Sequence, residues 1–132
     1  MSLIRDTWDV SKEMLSLSSE IKAGPRTDRD KLSQILSEIS DLLNDVYIKM
    51  KQKIYPRTQC NRLSDLCNDL FESSQHLVGE EKARTLSDQL QYALKNSERT
   101  FEDFVTEKIS YMEIQQLEEA SGKFKACSVI IN

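Results

Sequence analysis

Two prolines and three glycines are all that interrupt 132 residues. So few breakers leave room for few turns, which excludes a many-stranded fold. There is one histidine, His76, so no multi-histidine metal site can be built. No nucleophile falls predictably beside it. No apolar run approaches the roughly 20 residues that a bilayer crossing requires. Basic residues are not in excess: net charge is −4 and the pI about 5.1. Those values disfavour a domain-wide attraction to nucleic acid or anionic lipid. Asp6 and Asp9 sit where a signal peptide would need an apolar stretch, so an intracellular, cytoplasmic address is expected.

The three cysteines agree with that address. Cys60 and Cys67 fall in one expected helix, about 10 Å apart along its axis. A disulfide needs Cα atoms within about 7 Å, so these two do not pair. Three free thiols in a reducing compartment is the plainer reading.

What is present is a helical palette rich in Leu, Ser, Glu, Asp and Lys. Apolar periodicity and punctuation divide it into four segments. The first runs from about Thr7 to Lys22, with Asp6 as N-cap and "KAGPR" as its stop. The second opens at "TDRD", where Thr27 and Asp30 have capping-box spacing, and continues to about Ile54. Its stripe is Leu32, Ile35, Leu36, Ile39, Leu42, Leu43, Val46 and Met50. The third spans about Arg57 to Val78 and stops at Gly79. The fourth starts near Glu80 and meets no Gly or Pro before Gly122. Unbroken it would reach about 60 Å against about 40 Å for the second, so it overshoots or breaks. The polar patch "KNSERT" (95–100) is the best breakpoint, with Asn96 or Ser97 as an internal N-cap.

The expected fold is therefore all-α: an antiparallel up-and-down helical bundle of four helices, or five, with a long C-terminal helix. Residues 1–121 are read as a single bundle domain and residues 122–132 as a flexible or docking tail. Its expected core includes Ile39, Leu42, Val46, Leu63, Cys67, Leu70, Leu90 and Phe101.

Three stretches invite a functional reading. Glu38, Asp41 and Asp45 cluster about 130° from the centre of the second helix's apolar stripe, which is the position of a solvated face. "EISD" (38–41) nevertheless resembles the E-x-x-D motif of the all-α nucleoside triphosphate pyrophosphatases of the MazG kind. The resemblance implies an enzyme whose helical carboxylates hold Mg²⁺ beside nucleotide phosphates. That family's preceding E-E-x-x-E motif is absent; the first helix offers only Glu13 and Glu20. Elsewhere, Lys49, Lys51, Lys53, Arg57 and Arg62 form a basic run without an intervening acid, near Tyr47 and Tyr55. It suits a nucleic-acid or anion-binding regulator, or merely complements a helix dipole.

The third stretch carries the leading expectation. The first helix shows two apolar stripes: Ile4, Trp8 and Leu15 on one side, and Val10, Met14, Leu17 and Ile21 on another. Beyond the breakpoint, Phe101, Phe104, Val105, Ile109 and Met112 continue an apolar side that the shorter helices cannot match. A second stripe needs a cover: the C-terminal half of the fourth helix, the tail, or another chain. The expectation is a non-enzymatic protein–protein interaction module, coiled-coil-like, acting as a homo-oligomer or a subunit of a larger assembly. Its partner is protein rather than nucleic acid or membrane, and no cofactor or metal is required. Trp8 is the expected anchor.

Overall fold

The computed structural model describes residues 2–132, of Ser2 the backbone alone. The described residues form seven helices and no strand: α1 (Ser2–Ser16), α2 (Ser18–Lys22), α3 (Arg26–Lys51), α4 (Arg57–Val78), α5 (Glu80–Lys95), α6 (Ser97–Val105) and α7 (Tyr111–Ile131). The all-α expectation holds. Several boundaries do not. The first helix begins at Ser2 rather than after an Asp6 cap, and it kinks at Leu17. Ser16 and Ser18 donate hydroxyl hydrogen bonds to the carbonyls of Glu13 and Leu15, which bends a helix locally. No capping box forms at Thr27, because Pro25 in extended conformation already starts α3 at Arg26.

The long fourth helix is broken twice. Its first break is at Asn96, as the polar patch suggested, although Asn96 makes no side-chain cap and instead donates to the Tyr92 carbonyl. The second break, at residues 106–110, was not expected. Here Glu107 adopts a left-handed conformation (φ 64°). The Lys108 and Glu107 amides donate back to the Asp103 and Phe104 carbonyls, closing a Schellman motif without glycine. Ser110 then opens α7: its hydroxyl accepts from the Glu113 amide while the Glu113 carboxylate accepts from the Ser110 amide.

Residues 122–131 are not a tail. They are the second half of α7, with Phe124, Cys127 and Ile131 buried. Gly122 lies inside that helix, not at its end. Lys22 and Arg29 donate to the Asn132 and Ile131 carbonyls, supplying partners for groups that a helix end leaves open.

Five long segments close into a ring: α1 packs on α7, α7 on α3, α3 on α4, α4 on α5, and α5 on α1. Four of these neighbours run antiparallel. Ser33 faces Ser128 and Ser40 faces Ser121 across α3 and α7. Glu38 meets Arg62 across α3 and α4, Ser64 meets Gln91 across α4 and α5, and Glu20 of α2 meets Lys82 of α5. The fifth pair is parallel: Trp8 lies by Lys123, Met14 by Cys127 and Lys22 by Asn132. An odd ring cannot alternate direction all the way round, so one parallel contact is obligatory. Along the chain the long segments still alternate in direction, as expected of an up-and-down bundle, and the parallel contact arises where the last closes on the first.

Of the expected core, Ile39, Val46, Leu63, Cys67, Leu70 and Leu90 are buried, while Leu42 and Phe101 are partly buried against it. The contact between α3 and α7 is marked by serines. Ser33 and Ser128, like Ser40 and Ser121, each donate to the other's backbone carbonyl at 2.7–2.9 Å. Side chains this small let α3 and α7 pack closely, and the reciprocal bonds satisfy hydroxyls that are otherwise dry.

Candidate interaction surface

The two apolar stripes of α1 have different fates from those of an open surface. Val10, Met14, Leu17 and Ile21 are buried, and Ile4 is nearly so. Trp8 and Leu15 are partly buried and packed on the same core. The cover is internal, because α5 and α7 flank α1 on either side. Trp8 lies between Lys12 and Lys123, whose ammonium groups are 5.3 and 5.2 Å from its ring centroid. Its indole N–H is buried without a hydrogen-bond acceptor.

The remaining residues of the expected partner surface separate by exposure. Phe101, Phe104 and Ile109 pack partly on the core, whereas Val105 and Met112 are exposed, Met112 at 77%. Ile4 and Ile109 share the lining of an open cleft of about 490 Å³ with Arg5, Asp103 and Glu113. The structure therefore draws Ile4 and the residues 101–112 to one end of the bundle and leaves Trp8 and Leu15 on its side.

That end holds most of the basic run as well. The α3–α4 turn closes as a second glycine-free Schellman motif: Lys53 is left-handed (φ 61°), and the Ile54 amide donates to the Lys49 carbonyl. This turn projects Lys51, Lys53 and Ile54 into solvent. Aromatic rings fix where the cations lie. Lys51 stands 4.8 Å from the Tyr47 ring and 6.0 Å from the Tyr111 ring. Lys53 is 5.8 Å from Phe104, and Arg57 is 5.4 Å from Tyr55, which packs edge-on against Phe101 at 5.5 Å. Each such contact contributes about 0.5–1 kcal/mol at an exposed site. Lys49 is only partly exposed, and Arg62 is taken up by Glu38 at 2.7 Å.

Two hydroxyl pairs support these rings from beneath. The Tyr47 and Tyr111 hydroxyls are hydrogen-bonded at 2.9 Å, and Tyr55 meets Ser97 at 2.7 Å. The Tyr111 hydrogen bond, then burial, pushes the Tyr47 phenol up to about 12. Burial likewise raises Tyr55, against an opposing hydrogen bond from Ser97. Both phenols are therefore neutral at physiological pH and add no negative charge beside the cations.

The carboxylates of the "EISD" stretch are drawn to opposite neighbours. Glu38 pairs with Arg62 of α4, and Asp41 pairs with Lys125 of α7 at 3.4 Å, while Asp45 is exposed. Among the described residues, no three His, Cys, Asp or Glu side chains group so as to hold a metal ion. His76 is exposed near the end of α4. The thiols of Cys60, Cys67 and Cys127 are buried and free. Burial raises all three, Cys67 to about 12, which favours the unreactive thiol form.

Sequence reasoning missed Tyr111, Ile48 and Ile54 as surface apolar residues at this end. The signal for Tyr111 was present: "SYME" (110–113) has the spacing of a capping box and marks a helix start. No helix among the described residues is long and apolar enough to cross a membrane. Compared with known proteins, the chain matches no family, no curated protein and no solved structure.

Proposed function

We propose that this protein is a helical interaction module that acts by binding another protein chain, through the end of the bundle formed by the α3–α4 turn, α6 and the start of α7. One observation carries the reading. Ile48, Ile54, Val105, Tyr111 and Met112 are large apolar residues left exposed, and they belong to elements that meet at this end. The apolar stripes of α1, by contrast, have their cover within the chain. Aromatic, methionine and arginine side chains are the types enriched at interfaces, and lysines suit the rim. The site thus moves from the Trp8 face to the far end of α1, and the interaction function stands as the best reading of the surface.

A photo-reactive side chain placed at Met112, activated in cells that make the protein, tests this. One discrete protein adduct is expected, absent when the group is at Gln89 on α5. That protein, once purified, should bind the chain in titration calorimetry, with Met112→Asp weakening it. An adduct of the chain with itself would make the module a homo-oligomer. No adduct, with a monomeric mass by light scattering at high concentration, would overturn the proposal.

A further inference from the structure

The cations at the binding end are held in place but not neutralised. Lys51, Lys53 and Arg57 each rest against an aromatic ring, and among the described residues none of them forms an ion pair. Elsewhere Arg62, Lys82, Arg84 and Lys125 have carboxylate partners, while Lys12 and Lys123 share the partly buried Trp8 ring on the side of the bundle. A ring fixes the position of an ammonium or guanidinium group while leaving its net charge free for something else. The rings themselves connect, since Tyr55 packs on Phe101 and the Tyr47 hydroxyl on that of Tyr111. Cations and rings thus alternate across the end of the bundle, with Ile54, Val105 and Met112 exposed beside them.

Backbone strain is concentrated at the same place. Lys53 and Glu107 are the non-glycine residues with positive φ among those described, and each closes a turn at this end. A left-handed residue other than glycine crowds its Cβ against the backbone, so Lys53 occupies a position where glycine would be easier.

We infer that this end recognises an acidic amphipathic segment of a partner protein, with carboxylates meeting Lys51, Lys53 and Arg57 and apolar side chains covering Ile54, Val105 and Met112. The inference rests on the interaction reading and adds the partner's chemistry. Charge complementarity chooses among anionic occupants. Glu102 and Glu107 are exposed on α6 and the following turn, and the whole chain carries a net charge of −4. A plane of anionic headgroups, or a nucleic-acid backbone, would press phosphates against those carboxylates as well. A peptide places its carboxylates only opposite the cations, and its apolar side chains cover the isoleucine and methionine that phosphates cannot.

The test titrates the full chain with a short helical peptide of leucine, alanine and glutamate, and with its counterpart bearing lysine at every glutamate. Amide shifts in NMR spectra should move in residues 47–57 and 101–112 with the glutamate peptide only, and shrink as salt is added. Lys51→Glu with Lys53→Glu should weaken binding about tenfold, as expected for two reversed charges at an exposed site. Lys31→Glu on the other end should not. Equal binding of both peptides would overturn the inference. So would tighter binding to phosphatidylserine vesicles or single-stranded DNA that the same two lysines abolish. A Met112 adduct without glutamate-peptide binding removes the charge assignment alone; the absence of both removes the interaction reading too.

Discussion

Trp8→Ala separates an internal role from an interface role. Fully burying a tryptophan and then truncating it costs about 3–5 kcal/mol. Trp8 is only partly buried against the core, which brings the packing loss to about 2 kcal/mol. Losing the contacts with Lys12 and Lys123 adds about 1 kcal/mol for the pair. Removing an indole N–H that is buried without an acceptor returns about 1 kcal/mol. The expected net loss is thus about 2 kcal/mol in folding stability, read by urea unfolding of the circular dichroism signal. Trp8→Phe keeps most of the ring and drops the unsatisfied donor, so it should fall within about 0.5 kcal/mol of the parent. Light scattering of all three forms should give the same mass at each concentration. A Trp8→Ala variant with unchanged unfolding midpoint but altered mass would refute the internal reading, because the indole would then be covered by another chain.

Three other outcomes follow from the geometry. Ser40→Ala should be nearly neutral in thermal melts, because the lost hydrogen bond to Ser121 and the gain in helix propensity are each about 0.5–1 kcal/mol. Ser40→Leu should instead cost about 3 kcal/mol by forcing α3 and α7 apart; equal costs would deny that size is what the position requires. Glu107→Gly should raise stability by roughly 0.5–1 kcal/mol, since it relieves a left-handed residue, and a loss in the melting temperature would contradict the turn geometry. In an alkaline absorbance titration Tyr47 should ionise near 12 rather than 10.0, and Tyr111→Phe should lower that value. Because the folded-state value is raised, its stabilising contribution is complete below pH 10 and disappears as pH rises toward 12. A midpoint for Tyr47 near 10 would remove the hydrogen-bonded pair.

Helical class was legible because the apolar residues of α3 and α4 recur at three- and four-residue steps and Gly79 sits at the turn between α4 and α5. The break at Asn96 was legible too, from polarity alone. The turn at residues 106–110 was hidden because its left-handed position holds Glu107, not glycine. Nothing at that residue type signals a positive φ. The last helix was hidden for a different reason. Residues 124–131 are apolar on nearly every side, so periodicity gave no face to read; in the fold Phe124, Cys127 and Ile131 are buried while Val129 and Ile130 stay exposed. Of the candidate site, the cations 49–57 and the apolar residues 101–112 were each visible as stretches, but not as one surface.

By itself, then, the sequence determined which segments are helical and which of their faces are apolar, since these follow from local spacing. It also determined that α1 carries more apolar surface than one neighbour covers. Only the tertiary structure decided what covers it. Two extra turns let the chain double back, so that α7 lies parallel to α1 and closes a five-membered ring. The same closure placed Phe104 and Tyr111 against Lys53 and Lys51, residues about fifty to sixty positions away in the chain. Local spacing fixes the direction a side chain takes from its own helix; which helix it meets depends on where the turns fall, and here the turn at residues 106–110 is held by backbone hydrogen bonds that residue identity does not announce.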